Sequence, residues 1–152
     1  LARLNDPKIH YLLCGKGDQR ENLEHLAEEL GLEQNIHFLG YRRDVVDICN
    51  QADVFVLSSF REGISVASLE AMYCGMPVIS SRVRGSEDYL RNGVSGFMCD
   101  ARDISGYAEA IQRLKQDPVF CGQCGDNNRE NVKRYCLEQV KQEILELLSS
   151  KV

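Results

Sequence analysis

Apolar residues come along this chain in short continuous runs, and the segments between the runs carry their apolar positions at helical spacing. Lys8 to Cys14 (KIHYLLC) is one such run, closed by Gly15; from Arg20 to Gly31, Leu23, Leu26, Ala27 and Leu30 recur every three or four residues. The first reads as a strand and the second as a helix. The alternation continues with a strand over Ile36 to Leu39, a short helix over Asp44 to Gln51, a buried strand over Asp53 to Leu57 (DVFVL) and a helix over Ser65 to Cys74. Gly75 suits the end of that helix, and Pro77 opens the next strand, PVISS, where a proline is tolerated. A short helix around Ser86 to Arg91, a strand over Gly96 to Cys99 and a helix over Ile104 to Gln116 follow. The remainder, Asn127 to Leu148, reads as helix interrupted near Tyr135.

Strands that are short apolar runs, alternating with helices that keep one polar face, belong to a parallel sheet covered on both sides. The pattern therefore predicts an α/β fold with a doubly wound, Rossmann-like parallel sheet. In such sheets ligands sit at the carboxyl ends of the strands, which directs attention to the loops Gly15 to Asp18, Gly40 to Asp44 and Ser58 to Ser65.

Composition agrees with one ordinary folded domain: 152 residues, 43% hydrophobic and 27% charged. A chain of this length buries about 68 to 70% of the surface its unfolded form exposes, enough for a core without disulfides or a structural metal. There are 23 acidic residues against 18 basic ones, a net charge of −5, and no run of Lys and Arg. That excludes the electrostatic footprint of a nucleic-acid binder. No apolar stretch approaches the roughly 20 residues that span a bilayer, and the expected setting is cytoplasmic. The seven cysteines are scattered through apolar segments, as free thiols in a reducing compartment would be. Cys121 and Cys124 have the spacing of a metal or redox pair, but His10, His25 and His37 lie far upstream on unrelated elements, and no metal site is expected.

Two segments carry candidate chemistry. The loop CGKGD, Cys14 to Asp18, joins a strand to a helix, and Gly15 and Gly17 allow either a plain tight turn or close backbone approach to a ligand. It lacks the third glycine of a dinucleotide fingerprint and the Lys-Ser/Thr of a phosphate loop. The second segment, SSFREGISVASLEAMYCGMP over Ser58 to Pro77, passes from a strand through a charged turn directly into a helix. Backbone N–H groups around Ile64 to Val66 have no acceptors within that helix and lie at its positive end, where an anionic group fits. Glu62 stands in the turn, and Glu70 stands eight residues on in the helix, whose side chains lean towards its N-terminus. Two carboxylates there accept hydrogen bonds from paired sugar hydroxyls; equally, Glu62 offsets the helix dipole and Glu70 is a solvated surface residue.

This segment resembles the retaining glycosyltransferases of the GT-B architecture, family four (glycosyl transferases group 1), in their C-terminal, donor-binding domain. The resemblance rests on Asp53 to Ser59, Glu62-Gly63, Leu69-Glu70-Ala71-Met72 and Gly75-Met76-Pro77-Val78-Ile79, with Gly85, Glu87, Asn92-Gly93 and Gly96-Phe97 downstream. Leu13 to Gly17 and Ile36 to Tyr41 match upstream. It covers nearly the whole chain. Two departures stand out: Ser65 replaces a residue that is often Pro or Gly, and the opening strand with its Gly-Arg-Leu…Lys-Gly segment, whose Arg and Lys grip the diphosphate, is missing.

The resemblance implies a nucleoside-diphosphate sugar as donor, with no cofactor and no metal. It places Glu62 as the catalytic residue against the donor sugar and Glu70 on the ribose hydroxyls. Amides of Gly63, Ile64, Ser65 and Val66 meet the sugar and diphosphate, and Gly15, Gly17, Gly40, Tyr41 and Arg42 complete the donor site, the last three beside the base. Residues 1–152 are then a single nucleotide-sugar-binding domain, a fragment of a two-domain enzyme lacking its first strand. A missing N-terminal domain would bind a glycan or lipid acceptor, the fragment alone would be inactive, and the full-length protein is cytoplasmic or peripheral to the membrane. The alternative is a non-catalytic nucleotide-sugar-binding or interaction module derived from that fold; a nucleotide-sugar epimerase would want an acid/base cluster that the sequence does not offer.

Overall fold

The computed structural model describes residues 1–149, which fall into two compact units, one over Leu1–Val45 and one from Val46 onward. The first is a strand-helix-strand unit. β1 (Tyr11–Cys14) leads through a loop into α1 (Arg20–Glu29) and back to β2 (Ile36–Gly40). The two strands run parallel, with Tyr11 opposite Ile36 and Leu13 opposite Phe38; an irregularity after Leu13 then sets Cys14 opposite Gly40. The strand expected from Lys8 begins only at Tyr11. Its first residues are drawn off locally: the Lys8 amide donates to Asp6 Oδ1 at 3.0 Å, and the Asn35 side chain donates to the Ile9 carbonyl at 2.8 Å.

The second unit holds α2 (Val45–Cys49), β3 (Phe55–Leu57), α3 (Val66–Tyr73), β4 (Val78–Ser81), α4 (Arg84–Tyr89), β5 (Gly96–Cys99), α5 (Ile104–Gln116), α6 (Pro118–Val132), a 3-10 turn at Lys133–Tyr135 and α7 (Leu137–Ser149). Its strands form a parallel sheet in the order β3-β4-β5, with Val56 and Phe97 on either side of Ile79. All four residues of the central β4 are buried. Successive side chains of a strand point to opposite faces, so the core divides in two. Val78 packs with Met72, Tyr89, Leu90 and Val132 on one face. Ile79 packs with Cys99, Ala110, Leu114 and Cys124 on the other. Helices thus cover both faces, as the apolar runs predicted.

The main difference from the sequence pattern is α6, expected from Asn127 and present from Pro118. Its start has a clear local cause: Asp117 Oδ1 accepts the Phe120 amide at 3.0 Å, and Pro118 occupies the first helical position, where it has no N–H to satisfy. Gly122 and Gly125 obscure the helical period. Gly125 answers to packing, since a Cβ there would lie 2.2 Å from the Gly75 carbonyl oxygen. Buried Asn128, three residues further on, donates to the Met76 and Ser95 carbonyls, both at 2.8 Å, and so ties α6 to the segments that lead into β4 and β5.

Candidate donor-binding segments

In the first unit, the loops after β1 and β2 meet. The Gly15 amide donates to the Gly40 carbonyl at 2.8 Å. Both residues have positive φ, 141° and 66°, which side chains strongly disfavour. An open cleft of about 210 Å³ lies there, lined by Gly15, Lys16, Gly17, Arg20, Phe38 and Gly40 among others. It is smaller than the roughly 300 to 1,000 Å³ of an enclosed small-molecule site. The Arg20 guanidinium lies over the Phe38 ring, 5.7 Å from its centroid, and donates to Glu24 Oε1 at 2.7 Å.

Of the residues expected beside a base, Tyr41 is exposed and Arg42 is already engaged. Arg42 holds Asp44 with two parallel hydrogen bonds, Nε to Oδ1 at 2.8 Å and Nη2 to Oδ2 at 2.5 Å. The bond to Arg42 holds the Asp44 carboxyl well below its usual range, at about 2. Asp44 thus neutralises the guanidinium that the resemblance places beside the base.

In the second unit, the segment from Ser58 leads into α3 as the sequence suggested. Ser65 is extended, with φ −79° and ψ 113°, and its Oγ accepts the Ser68 amide at 3.2 Å. The departure from Pro or Gly at 65 therefore supplies a working N-cap. The amides of Val66 and Ala67 remain without acceptors in the helix, at its positive end. Ser68, Ala71 and Met72 form the buried face of α3, whereas Val66, Ala67, Glu70 and Tyr73 form its exposed face. Helical side chains lean towards the N-terminus, and Glu70 is on the exposed face, one turn into α3.

Glu62 is half-buried, and Gly63 and Ile64 are exposed. Behind them stands Tyr89, 1% exposed, which the sequence did not single out. Burial pushes its phenol up; the Ser68 hydroxyl opposes this, the Glu62 carboxylate adds to it, and Ser65 opposes it. The Tyr89 hydroxyl thus faces Ser65 and Ser68, although neither it nor Ser68 Oγ completes a hydrogen bond. Only its aromatic bulk at a short helix marked it in the sequence. Among the described residues, no group of three or more His, Cys, Asp or Glu side chains is placed to hold a metal ion.

Parallel strands with helices on both faces define a doubly wound α/β protein. The chain matches the family model for glycosyl transferases group 1 over residues 1–131 and belongs to that family. Its fold is that of the C-terminal half of a GT-B glycosyltransferase. It is 34% identical, over 99% of its length and 44% of the relative's, to the lipopolysaccharide core biosynthesis glycosyltransferase LpsE of Rhizobium meliloti. It is 32% identical, over 75% of its length and 30% of the relative's, to the Escherichia coli UDP-Gal:alpha-D-GlcNAc-diphosphoundecaprenol alpha-1,3-galactosyltransferase. The crystal structure of Anabaena Alr3699/HepE in complex with UDP-glucose superimposes with a TM-score of 0.88 at 26% identity, over 98% of this chain and 43% of that one. The chain thus spans less than half the length of these proteins.

Proposed function

We propose that this chain is the donor-binding part of a retaining glycosyltransferase, which moves a hexose from a nucleoside-diphosphate sugar to a glycan or lipid-type acceptor. The observation that carries the reading is the Glu62 to Glu70 segment: a half-buried carboxylate in the turn, a helix start capped by Ser65, and a second carboxylate on the exposed face of that helix. Glu62 then contacts the sugar and is the catalytic residue. Gly63, Ile64, Ser65 and Val66 give amides to sugar and diphosphate, and Glu70 accepts from the ribose hydroxyls. No metal is required, because oriented amides stabilise the diphosphate as its charge grows. The bond from the anomeric carbon to the diphosphate breaks through an oxocarbenium-like transition state. The acceptor oxygen bonds on the same face, and its proton passes to the departing phosphate. The acceptor is bound by an N-terminal domain, so residues 1–152, a single donor-binding domain, do not turn over alone. The full-length protein is cytoplasmic or peripheral to the membrane and serves polysaccharide synthesis.

Calorimetry with UDP, GDP and ADP, and with the corresponding glucose conjugates, tests this on the full-length protein. Glu70→Ala is expected to weaken binding of the preferred nucleotide by about tenfold to more than a hundredfold, the worth of a carboxylate-hydroxyl bond of roughly 1.5 to 3 kcal/mol. Glu62→Ala is expected to leave the free nucleotide nearly unchanged and to reduce transfer. Equal nucleotide binding by the parent and the Glu70 variant, or full transfer by the Glu62 variant, would remove the assignment. Binding without transfer to any acceptor would favour the non-catalytic module.

A further inference from the structure

Gly85 belongs to the family pattern in the sequence, yet the site described above gives it no part. It is the second residue of α4, and a Cβ built on it would lie 2.0 Å from the Gly63 carbonyl oxygen and 2.6 Å from that of Glu62. Real Cβ contacts essentially never fall under 3.0 Å, so the backbone of the Glu62-Gly63 turn rests directly on the Gly85 Cα. The start of α4 is itself pinned. Ser86 Oγ donates to the carbonyls of Ser81 and Val83, each at 2.8 Å, and the Val83 amide approaches the same oxygen at 3.1 Å. On one side of this contact, Ser81 Oγ holds the Ser59 carbonyl; on the other, Tyr89 stands beside Ser65. The segment from Ser81 to Tyr89 therefore meets the loop at Ser59, Gly63 and Ser65 in turn.

We propose that Gly85 is a positioning residue for the sugar-contacting turn; this rests on the reading of Glu62 and Gly63 given above. A peptide unit is planar. The Gly63 carbonyl that meets Gly85 shares its plane with the Ile64 amide, and the Glu62 carbonyl shares its plane with the Gly63 amide. The absence of a side chain at 85 sets how deep both carbonyls sit, and so sets where these two amides and the Glu62 carboxylate point. A methyl group at 85 has to displace the turn by about 1 Å to reach even the 3.0 Å limit. The Val66 and Ala67 amides and Glu70 belong to α3 and do not ride on that contact.

The test compares Gly85→Ala with Gly125→Ala, which introduces an equivalent clash with the Gly75 carbonyl at the packing of α6 against α3. Affinities for nucleotide and for its glucose conjugate are measured by calorimetry on the full-length protein, using whichever of UDP, GDP and ADP the parent binds. Gly85→Ala is expected to keep nucleotide affinity within about twofold and to lose about tenfold to a hundredfold for the sugar conjugate, the scale of a misplacement of about 1 Å. Gly125→Ala is expected to change the two affinities alike or not at all. Full affinity of the Gly85 variant for the conjugate, or the same selective loss in the Gly125 variant, overturns the proposal. If Gly85→Ala does not fold, Ser86→Ala, which frees the start of α4, is expected to show the selective loss, and its absence is equally decisive. Amide resonances of Gly63 and Ile64 give a readout without ligand: displaced in Gly85→Ala and unmoved in Gly125→Ala. A parent that binds no sugar nucleotide overturns the donor-site reading while these resonances still report the packing; resonances unmoved in Gly85→Ala overturn the positioning role itself.

Discussion

Ser81 Oγ donates a hydrogen bond to the Ser59 carbonyl at 2.5 Å, joining the last residue of β4 to the loop that follows β3. Ser81 is wholly buried, so its hydroxyl must find a partner inside the protein, and the partner it finds is candidate-site backbone. Ser81→Ala removes the donor and leaves a part-buried carbonyl without it. The expected cost is about 1 to 2 kcal/mol of stability, read from urea unfolding. A variant as stable as the parent would show that the bond contributes nothing to holding the loop.

Asn128 is the corresponding tie for α6. Its side-chain amide serves two carbonyls on buried residues, Met76 and Ser95. Asn128→Ala is expected to destabilise the second unit by about 2 to 4 kcal/mol, one unmet buried group for each bond lost. Asn128→Asp should cost at least as much, because an ionised carboxylate offers only acceptors to two carbonyls. Thermal unfolding of both variants checks this; tolerance of Asp would mean that the carbonyls find other donors.

Asp44 gives a pH signature in the first unit. Its carboxyl titrates at about 2 in the folded chain, chiefly because of the bond to Arg42, against about 3.9 for an unperturbed aspartate. A depressed folded value means that the unfolded chain takes up the proton first. The stabilisation is then fully present above about pH 4 and is lost as the pH falls towards 2. Carbon-detected NMR titration of Asp44 should give a midpoint near 2, moving up towards the ordinary aspartate value in Arg42→Ala. An unchanged midpoint in that variant would place the cause elsewhere.

Cys124 is completely buried, and burial, with Cys121 one helical turn away, pushes its thiol up to about 11. Thiolate is the reacting form. In folded protein at pH 8, Cys124 should be among the last cysteines labelled by a thiol reagent and exposed Cys14 among the earlier ones, with Cys124 accessible once denaturant is added. Mass mapping of labelled sites follows this directly. Early labelling of Cys124 would show that α6 opens far more readily than its packing implies.

Much of the architecture could be read from local pattern because its causes are local. Apolar runs such as DVFVL and PVISS have no polar face to give to water, so they become the parallel strands β3 and β4. Ser65 ends the loop and starts α3 because its own hydroxyl reaches a backbone amide three residues on. The start of α6 was equally local, in Asp117-Pro118, but two glycines masked it. The engagement of Arg42 was not legible, since residue order does not say which way a short loop turns its side chains.

The sequence by itself determined the α/β alternation, the family pattern and the capped start of α3, all of which follow from contacts within a few residues. Only the tertiary structure decided what holds the Glu62-Gly63 turn. Ser81 reaches Ser59 across 22 residues, and Asn128 reaches Met76 across 52, through side chains whose positions no period predicts. The approach of Gly85 to the Gly63 carbonyl is of the same kind. A glycine needed for a turn and one needed because another backbone lies against it look identical in sequence. The difference exists only when two segments are packed so closely that one missing methyl group decides where the other can lie.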